Sequence, residues 1–321
     1  MSRYIIRRLL SAVLIVMIVV VLNFTIIKLA PGEPARIMAG FDNPSDELIE
    51  AINRKYGFDQ PFYIQITRYI KTLLSGDLGN SYLYNQPVAE LIAERIGPSL
   101  LLSGVSVVLA LLIGAVLGLY AGKNEGKLLD KVFSTLCYFI NSMPSFWIGI
   151  MLILLLASRF NFLPTQGMTN VRANYHGLQY VMDVMRHMIL PTLTLVLVQL
   201  PTFFRITKSS VLQVMSEDFV MTFRAAGMNE GTIFRKYILK NSILPILTVF
   251  SINLAYIVAG STLVEIVFSW PGVGVLMYRS ILMRDYNVLM GLYLLISISV
   301  AVVTILMDLI YAALDPRIRF D

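Results

Sequence analysis

Long runs of apolar residues, separated by more polar stretches, dominate this sequence. A helix that crosses a lipid bilayer needs about 20 consecutive apolar residues. The runs that approach this length are Leu9–Ile27, Ser99–Ala121, Val132–Ser158, Met188–Phe204, Ile243–Phe268 and Val288–Tyr311. The pattern therefore predicts an all-α, polytopic membrane protein with six transmembrane helices.

The first run predicts a retained anchor. Leu9–Ile27 is longer than the apolar part of a secretory signal peptide, and no small-residue cleavage site follows it. Met188–Phe204 is the short member of the set. Prolines are expected to kink several spans, and they are Pro144, Pro191, Pro201 and Pro245.

Composition agrees with a membrane protein. The chain is 57% hydrophobic and 14% charged, whereas a soluble domain is about 25% charged. The net charge of +6 does not indicate nucleic-acid binding, because the basic residues flank the apolar runs. A single cysteine, Cys137, excludes an intrachain disulfide, and His176 and His187 are too far apart in sequence to suggest a metal site.

The distribution of Lys and Arg predicts that both termini lie in the cytoplasm. In that orientation the inner segments carry 14 basic and 7 acidic residues, and the outer segments carry 12 and 11. Positive charge is concentrated on the cytoplasmic side of membrane proteins. The predicted regions are an N-terminal anchor and first span (1–29), an outer segment (30–97), and a core of five spans (98–321) with a cytoplasmic loop at 205–241.

The outer segment is expected to form an external cap of helices. Ser45 can cap a helix that ends at Gly57, and Pro61 can open a second helix. A third helix is expected over Pro87–Arg95 and leads into the second span. Such a cap either shields the ends of the spans or receives a partner or substrate.

The cytoplasmic loop is basic, amphipathic and interrupted by a glycine. A helix is predicted to begin at Ser216 or Glu217 and to stop at Gly227, which can adopt the left-handed conformation. Asn229 can cap the next helix. Four apolar side chains make full exposure to water unfavourable: Phe219, Val220, Met221 and Phe223. The segment could lie in the lipid interface, pack against its own chain, or dock into a partner.

No catalytic or nucleotide-binding arrangement is visible in the sequence. The stretch Gly122–Leu128 resembles a P-loop but has the wrong glycine spacing and ends in leucine. Glu265 and Asp308 are the ionisable residues within the predicted spans, which is few for a proton-driven carrier. Glu265 could line a path or bond to backbone or Trp270. Pairing of Asp308 is expected with Arg317 or Arg319.

A series of short motifs runs through nearly the whole chain. They are Met1–Leu9, Leu29–Pro34, Tyr56–Pro61, Gly76–Ser81, Pro87–Arg95, Met143–Trp147, Leu163–Gly167, Ile189–Thr194, Glu265–Gly274, Arg284–Tyr286 and Asp308–Arg317. Because these motifs occur together and in this order, the chain resembles the membrane subunit of bacterial and archaeal ABC importers of the dipeptide, oligopeptide and nickel class. The resemblance implies the type I importer permease fold, six spans with an external helical cap, and a location in the cytoplasmic (inner) membrane.

The resemblance also implies a coupling function for the cytoplasmic loop. The residues expected to contact an ATPase are Glu217, Asp218, Phe219, Val220, Thr222, Phe223, Arg224, Ala225, Gly227 and Asn229. The loop departs from the family pattern at Met221, Phe223 and Ala226. Residues expected to line or gate the path are Asn141, Pro144, Ser145 and Glu265. Changing Phe219 or Phe223 to Glu is expected to uncouple ATP hydrolysis from uptake.

The resemblance implies that other chains of the assembly bind and hydrolyse ATP. The expected partners are a second, homologous permease subunit, two ATPase subunits that bind ATP and Mg²⁺, an extracytoplasmic substrate-binding protein, and membrane lipid. This chain is expected to hold no cofactor and to catalyse no reaction. Small peptides are the expected substrates, and nickel complexes, glutathione and oligosaccharides are alternatives. An ion-coupled carrier or a membrane-embedded enzyme is less favoured.

Overall fold

The structure, a computed structural model, describes residues 2–29, 34–39, 44–159 and 163–314, which are mainly helical. The helices in chain order are α1 (Ser2–Leu29), α2 (Pro34–Ala39), α3 (Asp46–Tyr56), α4 (Phe62–Leu74), α5 (Val88–Lys123), α6 (Leu128–Asn141), α7 (Ser145–Leu152), α8 (Leu178–Met215), α9 (Asp218–Ala225), α10 (Glu230–Ile233), α11 (Leu239–Ala255), α12 (Thr262–Val267), α13 (Val273–Leu282) and α14 (Tyr286–Leu314). A π-helical segment, Ile153–Ser158, extends α7, and another, Phe234–Ile238, joins α10 to α11.

Within the described ranges, five helical segments are long and apolar enough to cross a membrane. They correspond to α1, α5, α8, α14 and the segment Glu230–Ala259. The third predicted span is not one straight helix, because Leu128–Asn141 and Ser145–Ser158 meet at an angle of 103°. Pro144 explains this break, since proline has no N–H group and disfavours a helical conformation at the preceding residue. Counting the bent pair as one span gives six.

Two other spans differ from their predicted limits. Helix α8 extends well beyond Met188–Phe204 at both ends and runs unbroken through Pro191 and Pro201. The predicted span Ile243–Phe268 is divided, because a short 3₁₀ turn ends at Ala259 and Gly260 has a φ of 69°. The remaining part of that run forms the separate helix α12. Glu265 therefore lies outside the fifth transmembrane helix.

The helix ends predicted for the outer segment are confirmed. The Ser45 side chain accepts a hydrogen bond from the Leu48 N–H, and Gly57 ends α3 with a φ of 70°. Helix α4 begins directly after Pro61. The helix expected over Pro87–Arg95 is the first part of α5, which continues to Lys123. The boundary expected between residues 97 and 98 thus falls inside a continuous helix.

The contact between α5 and α8 depends on three glycines spaced four residues apart. A Cβ atom added at Gly114 would lie 2.7 Å from Phe203 Cβ, and one added at Gly118 would lie 2.6 Å from the Phe204 carbonyl oxygen. A Cβ atom added at Gly122 would lie 2.8 Å from Val211 Cγ1. Residues at this spacing lie on one face of a helix. Small residues at such an interface let two transmembrane backbones approach closely.

We expect Gly118→Val to destabilise the protein by about 1–3 kcal/mol, because the larger side chain would overpack the helix contact. Thermal unfolding of the purified protein in detergent measures this effect. Gly97→Ala is the matched control on the same helix, because no heavy atom lies within 4 Å of the added Cβ. Equal unfolding temperatures for both variants would show that the glycine contact is not needed.

Candidate functional site

The segment that follows α8 forms a compact helical turn. Helix α9 starts after Glu217, with Asp218 in its first turn, where a carboxylate interacts favourably with the helix dipole. Gly227 has a φ of 74° and follows the end of α9. The Asn229 side chain accepts a hydrogen bond from the Gly231 N–H and caps α10. These helix limits agree with the sequence prediction.

One face of α9 is packed against the protein's own helices. Val220 is fully buried, with an exposed fraction of 0%. Its surrounding cluster contains Val211 of α8, together with Ile233 and Ile238 of the segment that leads into α11. For Val220, the structure therefore agrees with the second interpretation, burial against its own chain.

The two phenylalanines of α9 join the same packed face. Phe219 and Phe223 are half-buried against this cluster. Their ring centroids are 6.0 Å apart, and the Phe223 ring lies 4.3 Å from the Tyr237 ring. These contacts show that Phe219 and Phe223 hold α9 in place, so charged substitutions there would disturb the local fold as well as any docking.

The opposite face of α9 is exposed. It carries Asp218, Met221, Thr222 and Ala225, and Met221 is 62% exposed. Their spacing of three, four and seven residues places them along one side of the helix. The exposed side is short, has one apolar side chain at its centre and lies on a well-anchored helix. We refer to these four residues as the exposed face of α9.

An ion pair closes the turn beside this face. Arg224 Nε lies 2.8 Å from Glu230 Oε1 across the Gly227 turn. Glu217, Gly227 and Asn229 are also exposed. The predicted coupling residues are therefore brought together, but they divide into an anchoring set and an accessible set.

A small cavity lies between α6 and α8. Its volume is about 190 Å³, and its lining includes Asn141, Cys137 and Arg205. Lys208 also lines it and forms an ion pair with the buried Asp130 of α6. Asn141 is the predicted path residue that reaches this cavity, and the bend at Pro144 follows it directly.

Arg205 and Lys208 line this cavity beside Asn141, but the sequence analysis did not group them with it. These basic residues are one helical turn apart and lie well inside α8. The hydropathy pattern did not show that α8 continues as one helix beyond Phe204 to Met215. Because the predicted span ended at Phe204, both residues were assigned only to the basic flank.

Glu265 joins three separate segments of the fold. Its carboxylate accepts hydrogen bonds from the Ser99 hydroxyl, 2.7 Å away, and from the Val275 N–H, 3.0 Å away. Ser99 Oγ in turn accepts one from the Val273 N–H. Burial raises the pKa of Glu265, and the hydrogen bonds that it accepts act in the opposite direction.

The surroundings of Glu265 leave no room for an additional side chain. A Cβ atom at Gly260, Gly272 or Gly274 would collide with its carboxylate. The Trp270 indole N–H donates to the Pro98 carbonyl oxygen, 2.9 Å away, rather than to Glu265. With an exposed fraction of 0%, Glu265 fits the structural alternative better than a path-lining position.

Asp308 forms an ion pair with Arg8. Its carboxylate lies 3.1 Å from Arg8 Nε, which joins the start of α1 to the end of α14. The expected partners Arg317 and Arg319 lie outside the described residues. In the part of the chain that the structure describes, no group of three or more His, Cys, Asp and Glu residues could hold a metal ion.

Comparison with known proteins identifies related sequences along the whole chain. Residues 114–320 match the family model for the binding-protein-dependent transport system inner membrane component, and residues 1–103 match its N-terminal companion. The glutathione transport system permease protein GsiC of Salmonella paratyphi A is 35% identical over 320 residues, which is 100% of both chains. The oligopeptide transport system permease protein AppB of Bacillus subtilis is 33% identical over 321 residues, again 100% of both.

A solved structure shares the fold. The MetNI methionine ABC transporter in inward-facing conformations matches with a TM-score of 0.55 and 17% sequence identity. The match covers 71% of this chain and 97% of the other chain. The all-α transporter fold predicted from the sequence is confirmed by this similarity.

We expect Glu265→Ala to destabilise the protein by several kcal/mol, because the Ser99 hydroxyl and the Val275 N–H lose a buried acceptor, at about 1–3 kcal/mol each. Thermal unfolding in detergent is the measurement. Glu94→Ala is the control, because Glu94 is exposed on α5. An unchanged unfolding temperature for Glu265→Ala would contradict the structural role.

We expect Val220→Asp to loosen the turn around α9, because it places an uncompensated charge among apolar side chains. Trypsin should then cleave after Arg224 at least about fivefold faster, which corresponds to about 1 kcal/mol of local stability. Met221→Asp should leave the cleavage rate unchanged, since Met221 is exposed. Equal cleavage of the two variants would refute the division between buried and exposed faces.

Proposed function

Because the chain belongs to the family of inner-membrane components of binding-protein-dependent transport systems, we propose that it forms half of a translocation path and transmits motion from an ATPase. The chain is a permease subunit of an ABC importer, a transport subunit rather than an enzyme. The resemblance carried by the sequence motifs is thereby confirmed.

The proposed assembly contains a second, homologous permease subunit, two ATPase subunits and an extracytoplasmic substrate-binding protein. ATP and Mg²⁺ bind to the ATPase subunits in this proposal, and lipid surrounds the spans. Support comes from the family, whose description names binding-protein-dependent transport. The small cavity between α6 and α8 supports a position of Asn141, Arg205 and Lys208 along the path.

The proposed orientation places both termini and the segment 205–241 in the cytoplasm. The Arg8–Asp308 contact brings the start of α1 beside the end of α14. Lys123 Nζ at the end of α5 lies 5.3 Å from the centroid of the Phe234 ring, and this contact supports a common side for the segments around both residues. The excess of basic residues in these segments supports a cytoplasmic side.

The exposed face of α9 is the proposed contact with the ATPase. The observation that carries this proposal is the two-sided character of α9: Val220 is fully buried, whereas Met221 beside it is largely exposed. A helix anchored on one face can pass a displacement to the elements that hold it. Here those elements are the end of α8 and the segment that leads into α11.

Short peptides are the proposed cargo. The two relatives named above transport glutathione and oligopeptides, according to their names. Both cargoes are short peptide-like molecules, and this chain aligns with both relatives over its full length. Nickel complexes and oligosaccharides remain less favoured, and an ion-coupled carrier is disfavoured by the family.

We expect Met221→Glu to reduce ATP-driven peptide uptake at least tenfold, because a charge at the centre of the contact must be desolvated when the ATPase binds. Uptake is measured in proteoliposomes that contain the complete importer and its binding protein. Thr232→Glu is the matched control, because Thr232 is exposed nearby but lies outside the exposed face of α9.

The trypsin assay separates loss of docking from loss of folding. Met221→Glu should show the wild-type cleavage rate after Arg224 while ATPase subunits no longer co-purify. This design replaces the substitutions at Phe219 and Phe223, which would also disturb packing. Full uptake by Met221→Glu, with a normal amount of bound ATPase, would exclude this face as the coupling contact.

A further inference from the structure

A larger cavity lies beside the helices of the outer segment, and we call it the cap cavity. Its volume is about 530 Å³, within the range of about 300–1,000 Å³ typical of small-molecule sites. Its walls come from the end of α1, from α3 and α4, from the turn at residues 77–82 and from the start of α14. It is separate from α9 and from the small cavity between α6 and α8.

Hydrogen bonds fix the walls of the cap cavity. The Gln65 side chain donates to the carbonyl oxygens of Phe58 and Gln60, which holds the turn after α3 against α4. The Tyr82 hydroxyl donates to Asn287 Oδ1, 3.1 Å away, which holds the turn at 77–82 against α14. A cavity with walls held in this way can receive a ligand without a large rearrangement.

Arg68 supplies a positive charge to this cavity. Its guanidinium group lies against Gly57, where an added Cβ would be only 2.6 Å from Arg68 Nη1. Within the described residues, the guanidinium makes no hydrogen bond or ion pair. A guanidinium group has five N–H donors arranged to bind a carboxylate through two parallel hydrogen bonds.

Acidic and aromatic side chains complete the lining. Asp59 and Asp77 line the same cavity and are exposed. One Asp77 carboxylate oxygen accepts a hydrogen bond from the Gly79 N–H. Phe24 and Tyr69 stack at 5.5 Å and form an apolar wall. Burial raises the pKa of Tyr69 to about 12, so its phenol stays neutral at physiological pH.

We propose that the cap cavity binds a small zwitterionic solute of short-peptide size, with its carboxylate on Arg68 and its ammonium group near Asp59 and Asp77. One cation, two carboxylates and an apolar wall match the two ends and the side chains of such a molecule. A lipid tail would leave these charged and amide groups without partners. The choice of a peptide rests on the proposed cargo, whereas the charge complementarity rests on the lining alone.

Trialanine is a suitable probe, because its two ends can be blocked separately. Binding is measured by saturation-transfer NMR on the assembled importer in lipid nanodiscs, without the substrate-binding protein and without ATP. We expect trialanine to bind at least tenfold more tightly than its C-terminal amide, because the amide cannot form the charged pair with Arg68. The N-acetyl derivative should also bind more weakly, since it has no ammonium group.

Substitutions at Arg68 test whether the preference for trialanine over its amide arises in the cap cavity. Arg68→Gln should weaken trialanine binding at least tenfold and abolish the difference between trialanine and its amide. Arg68→Lys should restore part of the binding. Arg54→Gln is the matched control, because Arg54 is exposed on α3 and does not line the cavity. An unchanged thermal unfolding profile for Arg68→Gln excludes a folding defect.

Several results would overturn the proposal. They are equal binding of trialanine and its amide to the wild type, equal binding to wild type and Arg68→Gln, and no binding of trialanine while phospholipid occupies the site. The Met221→Glu variant, whose permease subunits are expected to purify without the ATPase, separates this proposal from the coupling role. Because no ATP is needed for binding, that variant should retain the trialanine preference even when uptake is lost.

Discussion

The close contact between α5 and α8 is the constraint on which the other parts of the fold depend. Gly114, Gly118 and Gly122 allow the two backbones to touch along two helical turns. In a membrane, helix association gains little from the hydrophobic effect, so close van der Waals packing carries much of the stability. With 38 residues at about 1.5 Å each, α8 is about 57 Å long. At its inner end α8 also packs against the segment around α9, since Val211 lies in the cluster that buries Val220.

Buried carboxylates join segments that are far apart in sequence. Glu265 connects α12 to Ser99 of α5, and Asp130 connects α6 to Lys208 of α8. Asp285 accepts hydrogen bonds from the Ser81 hydroxyl and the Leu83 N–H, and so ties the outer segment to the start of α14. Each carboxylate is paired or hydrogen-bonded, as burial of charge requires. These buried contacts stabilise the fold, whereas Arg68 and Met221 are exposed and accessible to partners.

The sequence predicted features that depend on local chemistry. The caps at Ser45 and Asn229 and the left-handed Gly227 were correct because each follows from one residue and its immediate neighbours. Hydropathy located the spans but missed the division after Ala259, because Val264 and Ile266 are as apolar as a membrane span. The sequence left the orientation of Phe219 and Phe223 open, since it depends on tertiary packing against Tyr237 and the cluster around Val211. Tertiary contacts, rather than local sequence, determine the orientation of the two phenylalanines.

The two-sided packing of α9 limits how a partner could move it. Val220 lies between α8 and the segment leading into α11, and Ser210 Oγ donates to the Ser242 carbonyl oxygen between the same two elements. A displacement of α9 would therefore move the ends of both helices together. Both helices continue through their internal prolines. Within the described residues, neighbouring apolar segments are broken at Pro144, between α6 and α7, and at Gly260, after the segment that contains α11. The backbone changes direction at these two positions, and neither of them lies in the α5–α8 contact. For the proposed coupling role, motion at α9 would be absorbed around these breaks rather than by bending of α8.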